Sequence, residues 1–396
     1  MGQEDGDALN VFINFWYAAL RSDQLADHPA RVRMLGQDFV LFRDTSGTAH
    51  CLSDTCVHRG GSLGGGKLKG DRVECPYHGW QFDGRGQCTR IPSLGAAAKI
   101  PARARVDAYP VDELYGLVHV FLGDLPAAER PPIMPIPEYG QPGWHATIDE
   151  YTNVADYRRT VENGLDPAHN EFVHTTHGFS GTEGDSRVPD LKIEERAWGC
   201  GFMTTYFSPP LEDAKMQAVA GRKVDAVVTA GTFHHGPSCL TTYINPGPGY
   251  AINQNVFKTP IDATTVRTFL VQTRSFMLEP KHDARFSERN SFVREQDQVV
   301  LSALQPFFTP ESNLHEMLLP SDQAVARYRE WLKEWEFRGW RIDEGAMARD
   351  QRRVARAIPS PARREQPRGW VLDAVPTRRS VSEPALAETG REACKA

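Results

Sequence analysis

Residues 56–80 read CVHRGGSLGGGKLKGDRVECPYHGW, and this stretch decides the first half of the fold. It contains Cys56-x-His58 and, after sixteen intervening residues, Cys75-x-x-His78. Two thiols and two imidazoles on glycine-rich loops form a four-ligand metal set, for which structural zinc is the simplest occupant. Zinc fingers, however, pair Cys with Cys and His with His, whereas each loop here supplies one of each. The pattern therefore favours a [2Fe–2S] cluster with two cysteines on one iron and two histidines on the other.

The composition of the chain sets the class of protein. With 396 residues it is long enough for two domains that each bury a core. A formal net charge of −6 gives no attraction to nucleic acid or an anionic membrane, and no apolar run reaches the ~18 residues of a spanning helix. The acidic start, MGQEDGDALN, is unlike a secretory signal, and seven thinly spread cysteines favour a reducing compartment. We therefore expect a cytoplasmic protein that binds neither nucleic acid nor membrane.

Residues 15–127 alternate apolar and polar side chains in short runs separated by turns, as in RVRMLGQDFVLFRD and YGLVHVFLGD. This pattern predicts an all-β domain, either a small antiparallel barrel or a sandwich, with both ligand loops between strands. The next stretch, PAAERPPIMPIPEYGQPG, has too many prolines for a helix or a central strand. We interpret it as a connector that holds two domains apart.

Residues 128–345 combine helical and strand patterns. YRRTVENGLDPAHNEFVHTTHGF predicts a helix broken near Asp166-Pro167, and a strand-rich stretch runs from about residue 191 to 276. FSERNSFVREQDQVVLSALQPFF and PSDQAVARYREWLKEWEFRGW predict two helices after it. Residues 346–396 are basic, contain several prolines and have few apolar residues, so we expect a tail that is mobile or lies over the surface.

The loops CVHRGG and CPYHGW resemble those of the Rieske-type non-haem iron aromatic ring-hydroxylating oxygenases, in particular the oxygenase (alpha) subunit. They lack the two further cysteines of respiratory Rieske proteins, so the cluster resembles the lower-potential, ferredoxin-like kind. The resemblance implies an α+β chain, with an N-terminal all-β Rieske domain and then a helix-grip, START-like catalytic domain with a curved antiparallel sheet. It assigns Cys56, His58, Cys75 and His78 as the cluster ligands.

The stretch VENGLDPAHNEFVH, residues 161–174, contains a second group of candidate ligands. His169 and His174 would point ~140° apart on an ideal helix, so alone they read as ordinary structural residues. Pro167 permits an irregular turn that could bring both imidazoles to one ion. The stretch is similar to the catalytic-domain signature of Rieske oxygenases, in which two histidines and a later carboxylate bind Fe(II) as a facial triad.

The third ligand of this triad has no fixed spacing. Asp297, in VREQDQVVLSALQP, lies on a predicted helix and resembles the Glu-Asp-x-x-Val helix that carries the ligand in the family. Asp322 begins the next predicted helix, where a capping role explains an Asp without a metal. Glu295 is the remaining near alternative. We predict His169, His174 and Asp297 as the ligands of a mononuclear Fe(II).

Asp166 is not needed as a ligand, and the resemblance gives it another role. In the family the matching Asp hydrogen-bonds a metal histidine and, across a subunit boundary, a cluster histidine. Here these would be His169 and the His78 of a neighbouring chain, and such carboxylates orient imidazoles and tune the metal. The alternative is a structural Asp before a proline. The resemblance implies a ring of identical chains, usually a homotrimer.

The resemblance also implies the reaction. A multicomponent oxygenase takes dioxygen and electrons from a separate NAD(P)H-dependent reductase, sometimes through a ferredoxin, to hydroxylate or demethylate an aromatic or alicyclic small molecule. The chain has no Gly-x-Gly-x-x-Gly fingerprint, so the reductase is a different polypeptide. The alternatives are an electron carrier with a ligand-binding helix-grip domain, or a binding module without metals. The substrate pocket is expected among strands between residues 200 and 275, whose aromatics are Phe202, Tyr206, Phe207, Phe233, Tyr243 and Phe257.

Overall fold

The structure is a computed structural model that describes residues 9–174, 188, 190–208, 226–247, 249–350 and 353–378. Its first part forms three small antiparallel sheets, with strand orders β1-β11-β10, β2-β3-β4-β9 and β5-β6-β7-β8, which confirms the predicted all-β domain. The strands are β1 (Phe15–Arg21), β2 (Ala30–Met34), β3 (Gln37–Arg43), β4 (Ala49–Ser53), β5 (Lys67–Leu68), β6 (Arg72–Glu74), β7 (Gln81–Asp83), β8 (Cys88–Arg90), β9 (Ala108–Tyr109), β10 (Val111–Leu114) and β11 (Leu117–Leu122).

Both ligand loops lie between strands of this domain. The first loop connects β4 to β5, and the second connects β6 to β7. Cys56 and Cys75 are part of a buried core formed by alternate residues of these strands, so packing fixes where the two thiols lie. The other large members of this core are Val40, Phe42, Leu52, Leu63, Val73 and Phe82.

The second part contains an eight-stranded antiparallel sheet with the order β12-β19-β18-β17-β16-β14-β13, and β15 pairs with β16 beside it. Helix α3 packs along β12, and α1 packs on β16, β17 and β18, so this part is the predicted combination of one sheet and few helices. No helix within the described ranges is long and apolar enough to cross a membrane. The elements are β12 (His145–Val154), α1 (Tyr157–Leu165), α2 (Asn170–Val173), β13 (Glu194–Arg196), β14 (Gly199–Gly201), β15 (Thr204–Ser208), β16 (Ala226–His235), β17 (Cys239–Gly247), β18 (Tyr250–Asp262), β19 (Thr265–Arg274), α3 (Asp283–Leu301), α4 (Gln323–Phe337) and α5 (Glu344–Arg349).

The proline-rich connector does not hold the two parts apart, so that expectation is wrong. Met134 and Ile136 are buried in one core with Leu117 of the first part and Phe257 and Phe269 of the large sheet. Prolines exclude regular structure but not burial, since their neighbours can still turn apolar side chains into a core. The connector therefore packs between the two parts.

The N-terminal residues join the two parts a second time. Phe15 on β1 packs edge-to-face against Trp335 of α4, with the ring centroids 4.9 Å apart. The Ile13 N–H donates to the Trp340 carbonyl at 2.8 Å, just beyond the same helix. The largest hydrophobic core continues through residues of both parts, so they form one packed body. The division into residues 15–127, 128–345 and 346–396 stays a prediction.

Residues 353–378, called here the C-terminal segment, are packed on the first part. They contain β20 (Arg356–Ala357), α6 (Pro361–Glu365) and β21 (Asp373–Ala374), with β20 and β21 paired in parallel. Ile358 and Ser360 are fully buried, and the Tyr109 hydroxyl donates to the Ile358 carbonyl at 2.7 Å. Of the two expectations for the tail, mobility is therefore wrong for this segment, which lies over the first part, while residues 379–396 lie outside the described residues.

One buried ion pair anchors the C-terminal segment. The carboxylate of Asp107 is 0% exposed and accepts two hydrogen bonds from Arg363, each 2.7 Å long. It also accepts the backbone N–H and the hydroxyl of Ser360. A buried charge is stable only when such partners replace its water.

We predict that Arg363→Ala lowers the free energy of unfolding by about 3 kcal/mol, because it leaves a buried carboxylate without its cation. Urea titration of the metal-free protein measures the change. The neighbouring Arg364 provides a matched control, since it pairs with Asp124 at the surface. Arg364→Ala should cost less than about 1 kcal/mol. Equal effects of the two variants would show that the Asp107 pair does not anchor the segment.

Candidate metal centres

The two cluster loops close with the same backbone hydrogen bonds. In each loop the cysteine N–H donates to the carbonyl five residues on, and the cysteine carbonyl accepts the N–H of a glycine four residues on. These glycines, Gly60 and Gly79, have φ values of 74° and 70°. Only glycine adopts this left-handed conformation without strain, which explains a glycine after each ligand pair. Cys56 and Cys75 thus occupy equivalent positions in two matching turns.

The four candidate ligands divide into a buried and an exposed pair. Cys56 and Cys75 are each 2% exposed, whereas His58 and His78 are exposed at the surface. The two imidazole rings lie 4.4 Å apart between centroids, and the Trp80 ring stacks on His58 at 4.6 Å. The arrangement places two thiols inside and two imidazoles outside.

This division fits a two-iron cluster better than a single zinc ion. Four donors around one tetrahedral zinc would all lie within ~4 Å of one another. Among the described residues, a single group of three or more potential ligands has its donor atoms within 4.8 Å of one another. That group is in the second part of the chain, so the four donors of the cluster loops are spread more widely than a zinc site requires. Burial raises the pKa of the Cys56 thiol to about 12, so a thiolate forms there when a metal replaces the proton. The donor set and its spread fit a [2Fe–2S] cluster with one thiolate pair and one imidazole pair.

The positions of His169 and His174, in the second group of candidate ligands, depend on where α1 ends. Pro167 has no N–H to donate to the Asn163 carbonyl, so that carbonyl accepts the Asp166 N–H instead, at 3.3 Å. Asp166 precedes a proline and takes extended angles, φ −95° and ψ 109°. The chain then starts again as α2, with His169 before it and His174 after it. The predicted break is confirmed.

Three predicted ligands converge at this break. Nε2 of His174 lies 3.3 Å from Oδ1 of Asp297, and Nε2 of His169 lies 3.7 Å from the same oxygen. These are the three residues whose donor atoms lie within 4.8 Å of one another. Two neutral nitrogens and one carboxylate on one side of a point are the ligand set of non-haem Fe(II) sites, with positions left open opposite them.

Hydrogen bonds at the other ring nitrogens fix how the two imidazoles point. Nδ1 of His169 donates to the Asp166 carbonyl at 2.6 Å, and Nδ1 of His174 donates to Oε1 of Gln296 at 3.0 Å. Because these acceptors can only accept, the protons lie on Nδ1 and both Nε2 atoms are free to bind a metal. Gln296 was not predicted from the sequence, although it directly precedes Asp297.

Helix α3 positions Asp297 through polar contacts rather than a continuous apolar face. The Asp149 carboxylate on β12 accepts hydrogen bonds from Ser287 at 2.6 Å and Asn290 at 3.0 Å. Near the other end of the helix, Asn153 of the same strand donates to Gln298 at 3.0 Å. Since Asp297 lies between Asn290 and Gln298, which both bond to β12, its position is set by the sheet.

The charge of Asp297 suits a cation. Burial alone would raise its pKa, but His174 and His169 outweigh burial and the pKa of Asp297 falls below its usual value. Oδ1 of Asp297 is buried and makes no hydrogen bond of good geometry within the described structure. A buried acceptor left without a donor calls for a ligand such as a metal ion. The three residues therefore fit Fe(II).

Asp166 contributes differently from the prediction. Its main-chain carbonyl, not its carboxylate, holds His169; Oδ2 lies 3.8 Å from the imidazole. Oδ1 accepts the Ala168 N–H at 2.7 Å. Burial raises the pKa of the Asp166 carboxyl, although His169 nearby lowers it. The carboxylate is 29% exposed and can meet a group from outside the chain.

The alternative third ligands lie elsewhere. Asp322 accepts the Leu319 N–H at 2.7 Å at the start of α4, and Glu295 is exposed beside Arg294. One further residue near the site was missed: Lys258, whose Nζ donates to the Thr160 carbonyl at 2.9 Å. Burial lowers the pKa of Lys258 to about 8, although Asp297 nearby raises it. The signal was a lysine within β18, whose one other charged residue, Asp262, is at its end.

Comparison with known proteins identifies both parts of the chain. A family model for the Rieske [2Fe-2S] domain matches residues 15–110, and one for the vanillate O-demethylase oxygenase C-terminal domain matches residues 154–338. The chain therefore belongs to the Rieske oxygenases, with the domain order of their alpha subunits.

Individual relatives agree with this assignment. The chain is 27% identical to the protein TIC 55, chloroplastic, of Arabidopsis thaliana over 80% of this chain and 58% of that protein. It is 39% identical to the 4beta-methylsterol monooxygenase of Methylococcus capsulatus over 41% of this chain and 44% of that enzyme. The matches thus span about half the length of these relatives. The crystal structure of dicamba monooxygenase bound to 3,6-dichlorosalicylic acid has the same fold, with a TM-score of 0.70 at 22% identity over 82% of this chain and 98% of that chain.

We predict that Asp297→Ala loses the mononuclear iron and keeps the cluster, because two imidazoles alone cannot balance the charge of a divalent ion. Asp322→Ala should keep both metal centres, since its carboxylate bonds to the backbone instead. Iron and sulfide analysis of the purified variants measures both outcomes. Loss of iron from the Asp322 variant alone would show that the third ligand was chosen wrongly.

Proposed function

We propose that this chain is the oxygenase component of a multicomponent Rieske oxygenase. It would use dioxygen, and electrons from a separate NAD(P)H-dependent reductase, to hydroxylate or O- or N-demethylate an aromatic or alicyclic small molecule. The observation that carries the proposal is the convergence of His169, His174 and Asp297 in a chain that also has the cluster loops.

The residues divide the work between two centres. When bound, a [2Fe–2S] cluster supplies single electrons and ferrous iron supplies the activation of dioxygen. The chain's own contribution is positioning: Gln296 and the Asp166 carbonyl hold the two imidazoles, and the sheet holds α3. Because all three ligands lie on one side, the opposite side is left for small molecules.

The alternative is a Rieske electron carrier with a ligand-binding helix-grip domain. Such a protein would need the cluster loops only, and the second group of ligands would have no reason to converge. Iron content separates the two functions, since an oxygenase binds a third iron beside the two of the cluster. The oriented imidazoles of His169 and His174 favour the oxygenase.

The substrate class follows from the face of the large sheet that lies under α3. Five polar residues from five neighbouring strands pair in one row across this face. Gln254 of this row bonds to Asn290 of α3 at 3.4 Å, and Nε2 of Gln272 is buried without a hydrogen-bond partner in the described structure. Polar side chains on this face suit a small molecule that carries polar groups. The row is Thr147, Gln272, Gln254, Thr242 and Thr232.

Three of the aromatic residues expected around the substrate, Phe202, Phe233 and Phe257, contribute less to this face, and the side chains of Tyr206 and Phe207 lie outside the described structure. Phe202 and Phe257 are buried in hydrophobic cores, and Phe233 is 3% exposed. These rings pack the interior of the protein. The polar row, rather than an aromatic pocket, is therefore the feature that supports the proposed substrate class.

We further propose that identical chains assemble head to tail as a homotrimer. His78 is exposed, and the Asp166 carboxylate is accessible beside the iron site. Apolar side chains near the iron helices are also exposed, with Val299 at 71%, Leu314 at 94% and Met317 at 87%. A second copy that covered this face would bring its cluster to the iron, and a head-to-tail contact must close into a ring or polymerise.

A cytoplasmic location remains part of this proposal. The six cysteines in the described part of the chain are all free and buried, as in proteins of reducing compartments. Similarity does not decide the compartment, because TIC 55 is a chloroplast protein.

We predict that the purified protein is brown and shows the visible and electron paramagnetic resonance spectra of a reduced Rieske cluster. Cys75→Ser should abolish these spectra, since a buried hydroxyl is a poor iron ligand. Cys88→Ser is the matched control: Cys88 is also buried in this core but lies outside both loops, so the spectra should persist. A colourless wild-type protein that contains zinc would contradict the assignment of the loops.

The head-to-tail assembly predicts complementation between two inactive variants. His78→Cys damages the cluster and His169→Ala removes the iron, so each variant alone should make no product. Mixed rings would join an intact cluster of one chain to an intact iron of the next, and partial activity should return. Native mass spectrometry verifies the exchange of subunits. Mixed rings without activity would show that electrons travel within one chain and that Asp166 does not bridge subunits.

A further inference from the structure

The C-terminal segment lies beyond the residues matched by either family model, and it returns to the first cluster loop. Residues 353–355 and 371–373 face residues 55–60 across an open groove of about 300 Å³. The parallel pair β20 and β21 holds the two stretches of the segment side by side. The groove therefore lies directly beside His58, one of the two exposed cluster histidines.

The outer wall of this groove is held rigidly. Besides the Asp107 ion pair, the Trp370 ring lies between two guanidinium groups, with Arg105 at 4.0 Å and Arg363 at 4.5 Å from its centroid. The side chain of Arg105 also donates to the Arg368 carbonyl at 2.9 Å. A wall that is already ordered loses little conformational freedom when a partner binds.

The groove has an apolar centre and a mainly basic rim. Val354 and Val371 are each 39% exposed, and Arg59 and Arg353 are exposed beside them. Asp373 is the opposing acidic residue in the lining. The segment as a whole has six arginines and two acidic residues, in a chain whose net charge is −6. Four of these arginines, Arg356, Arg363, Arg364 and Arg378, are paired with carboxylates, so the positive charge at the groove comes from Arg59 and Arg353.

We propose that the C-terminal segment and the first cluster loop form the docking surface for a small acidic electron-transfer protein. This rests on the proposed function, which requires a separate electron donor. In the complex, one electron leaves the reduced donor and enters the oxidised cluster, and no atoms are exchanged. A small surface with apolar centre and charged rim suits the transient complexes of electron-transfer proteins, which bury the least area among specific interfaces.

Charge reversal at Arg353 tests the docking surface. The probe is an acidic plant-type [2Fe–2S] ferredoxin immobilised on a sensor chip, and the Kd is measured at increasing salt. Arg353→Glu, alone and together with Arg59→Glu, should raise the Kd about tenfold at low salt, because the basic rim attracts the acidic protein. Lys333→Glu is the matched control, since this exposed lysine lies on α4 and outside the groove lining.

Stopped-flow reduction of the cluster gives an independent readout. The reduced ferredoxin should reduce the Arg353→Glu variant about tenfold more slowly than the wild type at low salt. Photoreduced deazariboflavin, a small reductant that needs no docking surface, should reduce both proteins at the same rate. Electron transfer from the reduced cluster to a basic cytochrome c should instead become faster in the variant.

Two outcomes would overturn the docking surface. One is a Kd and a reduction rate that respond equally to Arg353→Glu and Lys333→Glu. The other is a wild-type protein whose binding of ferredoxin is absent or independent of salt. A chain without a cluster spectrum would instead contradict the proposed function. An intact spectrum with no effect of charge reversal would contradict the docking surface alone.

Discussion

The chemistry of the second centre depends on a missing hydrogen-bond donor. Pro167 cannot continue α1, and the residue before it turns to extended angles, so the Asp166 carbonyl leaves the helix axis. That carbonyl then accepts a hydrogen bond from Nδ1 of His169. In an unbroken helix the two imidazoles would diverge by ~140°. One proline therefore both brings His169 and His174 together and orients the first of them.

The two candidate centres lie in parts of the chain that pack closely against each other. Trp335 of the last long helix packs against residues from the beginning of the chain, and the proline-rich connector is buried between both parts. Close-packed interiors have low compressibility. The relative position of the two candidate centres within one chain is accordingly set by this packing.

Short stretches of sequence were sufficient to predict the candidate ligands. They were insufficient to predict the residues that pack around these ligands. The cluster loops, the break at Asp166-Pro167 and the α3 position of Asp297 each depend on a few adjacent residues. Gln296 was missed because glutamine on a helix is common, and its partner His174 is 122 residues away. The connector was predicted wrongly because a high proline content excludes helices and central strands but says nothing about burial. Met134 and Ile136, which lie between prolines, are buried.

The C-terminal segment shows the same limit more strongly. Its arginines predict a mobile or surface tail, because the buried carboxylate that pairs with Arg363 is separated from it by 256 positions. The polar row of the sheet also could not be predicted from local sequence. Its five polar residues become neighbours only through strand register, which no short stretch of sequence records.

The return of the chain to its starting domain also dictates an order of events during synthesis. Asp107 leaves the ribosome 256 residues before Arg363, so its charge stays uncovered while the large sheet is being translated. Domains usually fold as they emerge, N-terminal first. Here the first part to emerge is completed only when the C-terminal segment packs back onto it, so the groove beside His58 forms after both parts have been translated.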